Sequence, residues 1–416
     1  VFLAKVISIF AVYLFHLYIS NKYGASVNGV FTLFVTMITI VSVISKLGFD
    51  TSVVKYMSSF NTQGQLFTAK SLHKKTSLMI FIVAVILSLL LWWFNEFLNQ
   101  LFFNESSFID FRWMALALPF FSLLSINTES LRGLERTKSY SFLQNGTLFL
   151  ISLMLVYAFS TTVTDVTFLV LASFCASIFA LYIVSVFLLN SSFKNANKAQ
   201  EISLKPYIRE SLPMLLSNSV FFLMTWADII IISYFLPESE TGIYGNAAKI
   251  ANLNIVFLFA INAIAAPKLA AFNANKDMLS LKKFTKETSR ISLLLSLPIF
   301  IAIVLFPEFL LGMFGAEFAT GKHALIILAV GQLFNAMSGS VINVLNMADK
   351  QIVAKNIILI SAILNVILNI VLIPLYGIMG AAIATATSTI LWNGLAVGYI
   401  YKHFKFISIT LPWQKN

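Results

Sequence analysis

Apolar residues run in twelve long stretches along this chain, and polar residues are confined almost entirely to the gaps between them. The stretches are 1–20, 27–46, 77–95, 110–127, 142–160, 165–189, 212–236, 245–266, 291–311, 323–347, 353–374 and 378–401. The hydrocarbon core of a bilayer is about 30 Å thick, and roughly 20 helical residues cross it. No water is available at that depth, so each backbone N–H and C=O must be paired within the chain, as a helix does. The pattern predicts an all-α polytopic membrane protein with twelve transmembrane helices.

Composition agrees: 59% of the 416 residues are hydrophobic and 11% are charged, against about 25% charged in an ordinary soluble domain. The single cysteine, Cys175, lies inside the sixth stretch, which leaves no disulfide framework and no cysteine metal site. His16, His73, His323 and His403 are scattered, so no metal and no cofactor are expected. Lys5 interrupts the first stretch and no small-residue cleavage site follows it. Residues 1–20 therefore read as a span and not as a signal peptide. The start at Val1 predicts a short segment ahead of it.

A net charge of +11 would suggest nucleic acid as the partner of a soluble protein. Its distribution here points to topology, and no nucleic acid is expected. The gaps 46–76, 128–141, 190–211, 267–290, 348–355 and 402–416 hold 23 of the 28 Lys and Arg, while the opposite gaps hold Lys22, Arg112 and Lys322. Basic residues in short loops stay on the cytoplasmic side, which predicts that both termini are cytoplasmic.

The polar segment 190–211 divides six stretches from six, which predicts an N-terminal lobe over 1–195, a cytoplasmic linker over 196–211 and a C-terminal lobe over 212–416 with a short tail. Two echoes support a repeat. Gly29-Val30-Phe31 and Gly242-Ile243-Tyr244 are each followed by a lysine at the same spacing, Lys55 after the first and Lys268 after the second. The segment GLERTKSY (133–140) matches NMADKQIV (346–353) in position. Six being even, both halves enter the membrane from the same side, a parallel repeat.

These residues resemble a known family. Ile373-Pro374-Leu375-Tyr376-Gly377-Ile378-Met379-Gly380-Ala381-Ala382-Ile383-Ala384-Thr385 is similar to the "LIPxYGxxGAAxAT" stretch of polysaccharide transporters. Met347-Ala348-Asp349-Lys350, Phe314-Gly315-Ala316-Glu317-Phe318, Trp226-Ala227-Asp228 with Gly242-Ile243-Tyr244, and Leu47-Gly48-Phe49-Asp50-Thr51-Ser52 resemble further family segments. Together they cover residues 20 to 400 and resemble the Wzx-type flippases, relatives of multidrug-extrusion proteins and of the lipid II flippase. The resemblance implies a V-shaped, two-lobed transporter in the bacterial inner membrane. It implies a cargo of undecaprenyl-diphosphate-linked oligosaccharide, moved to the outer leaflet by alternating access. Coupling to an H+ or Na+ gradient, membrane lipids as ligands, and contact with polysaccharide polymerase and chain-length machinery follow from the same likeness. The family often carries arginine in span one, where this chain has His16.

Charge at membrane depth costs about 2.5–3.5 kcal/mol or more, so such groups face a cavity or each other. Lys5 and His16 lie eleven residues apart on one face of the first span, suited to a diphosphate; snorkelling to the surfaces is the alternative. Asp228 lies about 12 Å below the outer end of span seven, within expected reach of Lys249 on span eight. That pair reads either as a structural ion pair or as one broken by substrate, with Asp228 as an H+ or Na+ site. Asn365 and Asn369, at i and i+4, stack on one face, either to bind sugar hydroxyls or to join helices. Lys268, Lys282, Lys283 and Arg290, with Lys276 and Lys286, form the densest basic cluster, placed to recruit anionic headgroups or to fix topology. The segment 276–290 is expected to lie in the interface as an amphipathic helix.

Gly315–Lys322 only faintly resembles a phosphate-binding loop, with His323 in place of the required Ser or Thr. No catalytic group is assigned and no enzyme is expected. A glycan polymerase or ligase would need a sizeable outer loop with catalytic residues. A small-cation exporter would need buried acids in its first lobe, and a lipid II-type flippase stays open on these residues.

Overall fold

The computed structural model describes residues 2–102, 111–194, 203–348 and 350–409. Side chains are described apart from those of 2–6 and of scattered positions within 216–224 and 259–274. The described residues form two compact units, Val1–Phe222 and Leu223–Asn416.

Unit 1 holds α1 (Phe2–Ser45), α2 (Phe49–Thr62), α3 (Leu66–Trp93), α4 (Asn95–Phe102), α5 (Arg112–Gly133), α6 (Thr137–Phe142), α7 (Asn145–Phe159) and α8 (Val166–Ser192). Helix α9 (Lys205–Phe235) begins in unit 1 and ends in unit 2. Unit 2 continues with α10 (Glu238–Ala251), α11 (Val256–Ala274), α12 (Met278–Leu305), α13 (Pro307–Gly312), α14 (Lys322–Ser338), α15 (Val341–Met347), α16 (Gln351–Tyr376) and α17 (Ile378–Phe404).

The apolar stretches become helices, and the breaks within them have local causes. Stretches 1–20 and 27–46 merge in α1 but are separated at Gly24, whose φ of 84° and ψ of 177° suit only glycine. The eighth stretch is interrupted between α10 and α11 by a 3-10 turn at Asn252–Ile255. The tenth bends by 42° between α14 and α15. Among the described residues, seven helices are long and apolar enough to cross a membrane, or eight with that bent pair counted as one span. The count of twelve stays a reading of the hydropathy pattern.

The repeat reappears in the elements. Helices α3 and α12 are each 28 residues long and start at 66 and 278; α8 and α17 are each 27 residues long and start at 166 and 378. The interval between the two starts is the same for both pairs. In unit 1 the core is aromatic, with Phe15, Phe31, Phe34 and Phe174 fully buried and the Phe31 and Phe174 rings 5.2 Å apart. In unit 2 one core cluster is built on Leu269, Val341, Val344, Leu345 and Ile400, with Phe272, Phe284 and Trp392 packed against it.

The expected amphipathic helix over 276–290 does not form separately. Its residues from Met278 onward are the first turns of α12, which runs on without a break to Leu305. Continuing the helix pairs each backbone group within it, whereas a bend to a separate surface helix would leave several unpaired.

The first turns of α9 are fastened to α2 within unit 1. The Ser52 and Ser211 hydroxyls lie 2.6 Å apart, Lys55 Nζ lies 3.0 Å from Glu210 Oε2, and the Tyr56 hydroxyl donates to the same oxygen.

Candidate functional site

A buried polar network in the interior of unit 2 is built around Asp228. Helices α9 and α10 form a hairpin whose turn is Leu236-Pro237. Asp228 stands eight residues before Leu236 and Tyr244 eight residues after it, so at 1.5 Å per residue both lie about 12 Å from the turn. The hairpin thereby sets carboxylate against phenol. Asp228 is 5% exposed and Tyr244 is fully buried; the Tyr244 hydroxyl donates to Asp228 Oδ2. Thr385 on α17 donates to the same oxygen at 3.3 Å, and the Ile229 amide donates to Oδ1 at 3.0 Å.

The network extends through α16. Asn365 Nδ2 donates to Thr385 Oγ1 at 3.3 Å and to Ser388 Oγ at 3.0 Å. Asn369 Nδ2 donates to the Asn365 carbonyl at 2.9 Å and to its side-chain oxygen at 3.1 Å. Both asparagines are fully buried, and Asn369 Oδ1 has no hydrogen-bond partner. A buried acceptor left unpaired costs about 1–3 kcal/mol. The Asp228 carboxylate and the Thr385 hydroxyl beside it are oxygens of the kind that hard cations take. Among the described residues, no three His, Cys, Asp or Glu cluster as a metal site.

The close approach of α16 and α17 rests on the glycines of the Tyr376-Gly377 motif. Gly377 turns with φ at 59°, and a Cβ at Gly380 would lie 2.2 Å from the Leu372 carbonyl oxygen. This turn sets the register that brings Thr385 and Ser388 to Asn365.

The ion pair expected between Asp228 and Lys249 does not form. Lys249 sits on α10 five residues beyond Tyr244, more than a helical turn further along, and its ammonium donates to the Gly245 carbonyl of its own helix at 3.4 Å. The carboxylate is instead satisfied by hydroxyls and a backbone amide. Asn365 joins α16 to α17 through Thr385 and Ser388, and Asn369 bonds back to Asn365 on its own helix.

His16 is also placed differently from a cavity wall. It is 3% exposed, its ring centroid is 5.6 Å from Phe31 and 5.9 Å from Phe149, and its Nδ1 lies 2.7 Å from Asn28 Oδ1. Aromatic packing closes around the ring, so it belongs to the unit 1 core. The Lys5 side chain lies outside the described residues. Lys282 and Lys283 are exposed on the second turn of α12, Arg290 is half-buried two turns on, and exposed Lys268 stands 5.3 Å over the Phe284 ring.

Tyr244 and Thr385 are the site residues that sequence reasoning did not assign a role. Both fall inside the family-like motifs, and the equal spacing of 228 and 244 about the hairpin turn is a signal from which the first of them can be paired with Asp228.

Residues 1–272 match the family described as polysaccharide biosynthesis protein, and residues 213–371 match the MatE family. A probable low-salt glycan biosynthesis flippase, Agl15 of Haloferax volcanii, is 24% identical over 96% of this chain and 81% of its own length. Among solved structures, the lipid II flippase MurJ in an inward closed conformation has a TM-score of 0.73 at 15% identity, covering 96% of this chain and 86% of its own. An inward-facing MATE multidrug transporter has a TM-score of 0.76 at 13% identity, covering 97% and 95%. The matched family spans well over half of the sequence, and the two structures share its fold: the chain belongs to the polysaccharide biosynthesis protein family, polysaccharide transporters of the superfamily that also holds the MATE proteins.

Proposed function

We propose that this protein is a flippase for lipid-linked glycans, moving undecaprenyl-diphosphate-linked oligosaccharide repeat units from the cytoplasmic to the outer leaflet of a bacterial inner membrane. The observation that carries the reading is the flippase-named relative aligned over 96% of the chain. Twelve spans, cytoplasmic termini, lobes divided at 196–211 and alternating access between them belong to the same proposal, as does contact with the glycan polymerase.

The Asp228 network supplies the coupling. When ionised, a carboxyl at membrane depth without a cationic partner among the described residues carries a charge that a proton or Na+ would neutralise. Thr385 Oγ1, 3.3 Å from Asp228 Oδ2, adds an oxygen for the second of these. Ion arrival changes which hydrogen bonds join α9 and α10 to α16 and α17, and a change of that kind can bias one conformation over another. Lys268, Lys282, Lys283 and Arg290 draw in the diphosphate headgroup.

The test is reconstitution of the full chain in proteoliposomes with a fluorescent lipid-diphosphate oligosaccharide under an imposed H+ or Na+ gradient. Flipping should occur, and Asp228→Asn should remove at least tenfold of the gradient-driven rate. Exchange of drug cations without glycan flipping would overturn the cargo assignment. Normal transport by Asp228→Asn in every gradient would overturn the coupling role.

A further inference from the structure

Unit 1 contains a second feature that the Asp228 network and the cargo reading leave unused. A groove of about 430 Å³ opens between α3 and α8 with α5 as its floor. That volume falls inside the roughly 300–1,000 Å³ of small-molecule sites. Lys70, Lys74, Leu78 and Phe81 line it from α3, Tyr182, Val186, Leu189 and Asn190 from α8, and His73 and Asn127 meet across its floor.

The groove is graded along its length. Lys70 to Phe81 is eleven residues of one helix, about 16 Å, and the four α3 residues recur at helical spacing. Lys70 and Lys74 are exposed at the mouth, and neither joins an ion pair among the described residues. Helix α8 runs the opposite way, so Asn190 lies near the lysines and Tyr182 near Phe81. Behind the mouth the polar groups are already engaged: His73 Nδ1 lies 3.0 Å from Ser130 Oγ, and Asn127 donates to Ser185 at 2.8 Å. Beyond them Leu78 is 60% exposed and Phe81 39%. A soluble anion would use the lysines and leave those apolar walls uncovered. A lipid tail alone would leave the two cations unmatched.

We propose that this groove is a binding site for one phosphate-headed lipid, its head between Lys70 and Lys74 and its chain along Leu78, Phe81, Val186 and Leu189. Two unpaired cations at the mouth of an apolar slot match an anionic amphiphile in charge and in shape, with about 1 kcal/mol per basic residue available from the headgroup. The lipid comes from the leaflet that meets the basic end of α3. Phospholipid and prenyl diphosphate share this chemistry, and binding does not depend on which cargo is flipped.

The test uses the full chain in detergent with a diazirine-bearing phosphatidylglycerol, the crosslinks being mapped by peptide mass spectrometry. Label is expected on α3 and α8 peptides within 70–81 and 182–190. Unlabelled phosphatidylglycerol should compete for it and phosphatidylcholine should not. The double variant Lys70→Gln/Lys74→Gln should lose at least fivefold of that label while label elsewhere persists. Val186→Phe, which narrows the slot without touching charge, should lose it independently. Stronger competition by farnesyl diphosphate than by phosphatidylglycerol would support the site and identify a prenyl diphosphate as its occupant; the reverse would support it as a phospholipid site. Equal competition by phosphatidylcholine, or full labelling of both variants, would overturn the proposal.

Discussion

His16 and Asp228 hold equivalent places in the two units, offset in the sequence by the same interval that separates the starts of α3 and α12. Each stands on the helix that precedes the repeated glycine motif and faces the aromatic residue of that motif. The His16 ring is 5.6 Å from Phe31, Asp228 accepts from Tyr244, and Phe31 and Tyr244 are offset by one position more than the helix starts. The surroundings differ in kind. Phe149 and Phe174 join Phe31 in unit 1, whereas Tyr244, Thr385 and Asn365 surround the carboxylate in unit 2. The Phe31 position is thus surrounded by rings in unit 1, and its Tyr244 counterpart in unit 2 by polar groups.

Tyr244→Phe keeps the ring and removes only the donor to Asp228. Interhelical hydrogen bonds in membranes are worth about 0.6 kcal/mol on average, so the variant should fold with a small loss of thermal stability. Its gradient response should move more than its stability does, because the carboxylate loses a partner that competes with the ion. We expect the H+ or Na+ concentration for half-maximal flipping to shift at least threefold, measured in proteoliposomes. An unchanged midpoint would separate Tyr244 from coupling.

Asn28 accepts from the His16 imidazole inside the aromatic core and is fully buried. Asn28→Leu removes that acceptor where water cannot replace it, at a cost of about 1–3 kcal/mol, while Asn28→Asp retains an acceptor oxygen. Thermal unfolding in detergent should show the leucine variant clearly less stable than wild type. Equal melting of Asn28→Leu and wild type would contradict the closed packing around His16.

Gly380→Ala places a methyl group 2.2 Å from the Leu372 carbonyl oxygen, a contact that backbone must move to relieve. Overpacking of this kind costs about 1–3 kcal/mol. The displacement opens α16 from α17 where Asn365 reaches Thr385 and Ser388, so flipping should fall further than stability alone would explain. The check is the gradient-driven rate per folded molecule. Wild-type rate in the alanine variant would show that the network tolerates the movement.

The helices and the repeat were legible in the sequence because both are periodic and rest on many positions each. Asp228 was legible because charge is rare in such a background. Its partners were not: Thr385 is remote in the chain, and only the packing of α17 against α16 and α10 brings it to the carboxylate. Lys249 failed as a partner because proximity to the hairpin turn was used in place of helical phase. His16 was misplaced because the aromatic cage around it comes from Phe31, beyond the break at Gly24, and from Phe149 on α7. A charge-based reading of one span does not see either ring.

Glu210, two residues ahead of the seventh apolar stretch, provides a pH dependence that can be worked out. The Tyr56 hydroxyl and then the Lys55 ammonium hold its carboxyl below the ordinary value of 4.5. A carboxyl whose folded value is depressed contributes stability above its unfolded value and loses it as pH falls through the folded one. The fastening of α9 to α2 is thus intact at neutral pH and is released below about pH 4.5. Because Lys55 and Glu210 are both solvent-exposed, salt weakens the pair as well. Wild type should melt above Glu210→Gln at neutral pH, with the gap closing as pH falls below the ordinary carboxyl value of 4.5 and shrinking in high salt. A gap that is constant with pH would mean that the Ser52–Ser211 contact and the packing of Tyr56 on Tyr207, with rings 4.7 Å apart, hold α9 without help from the charge.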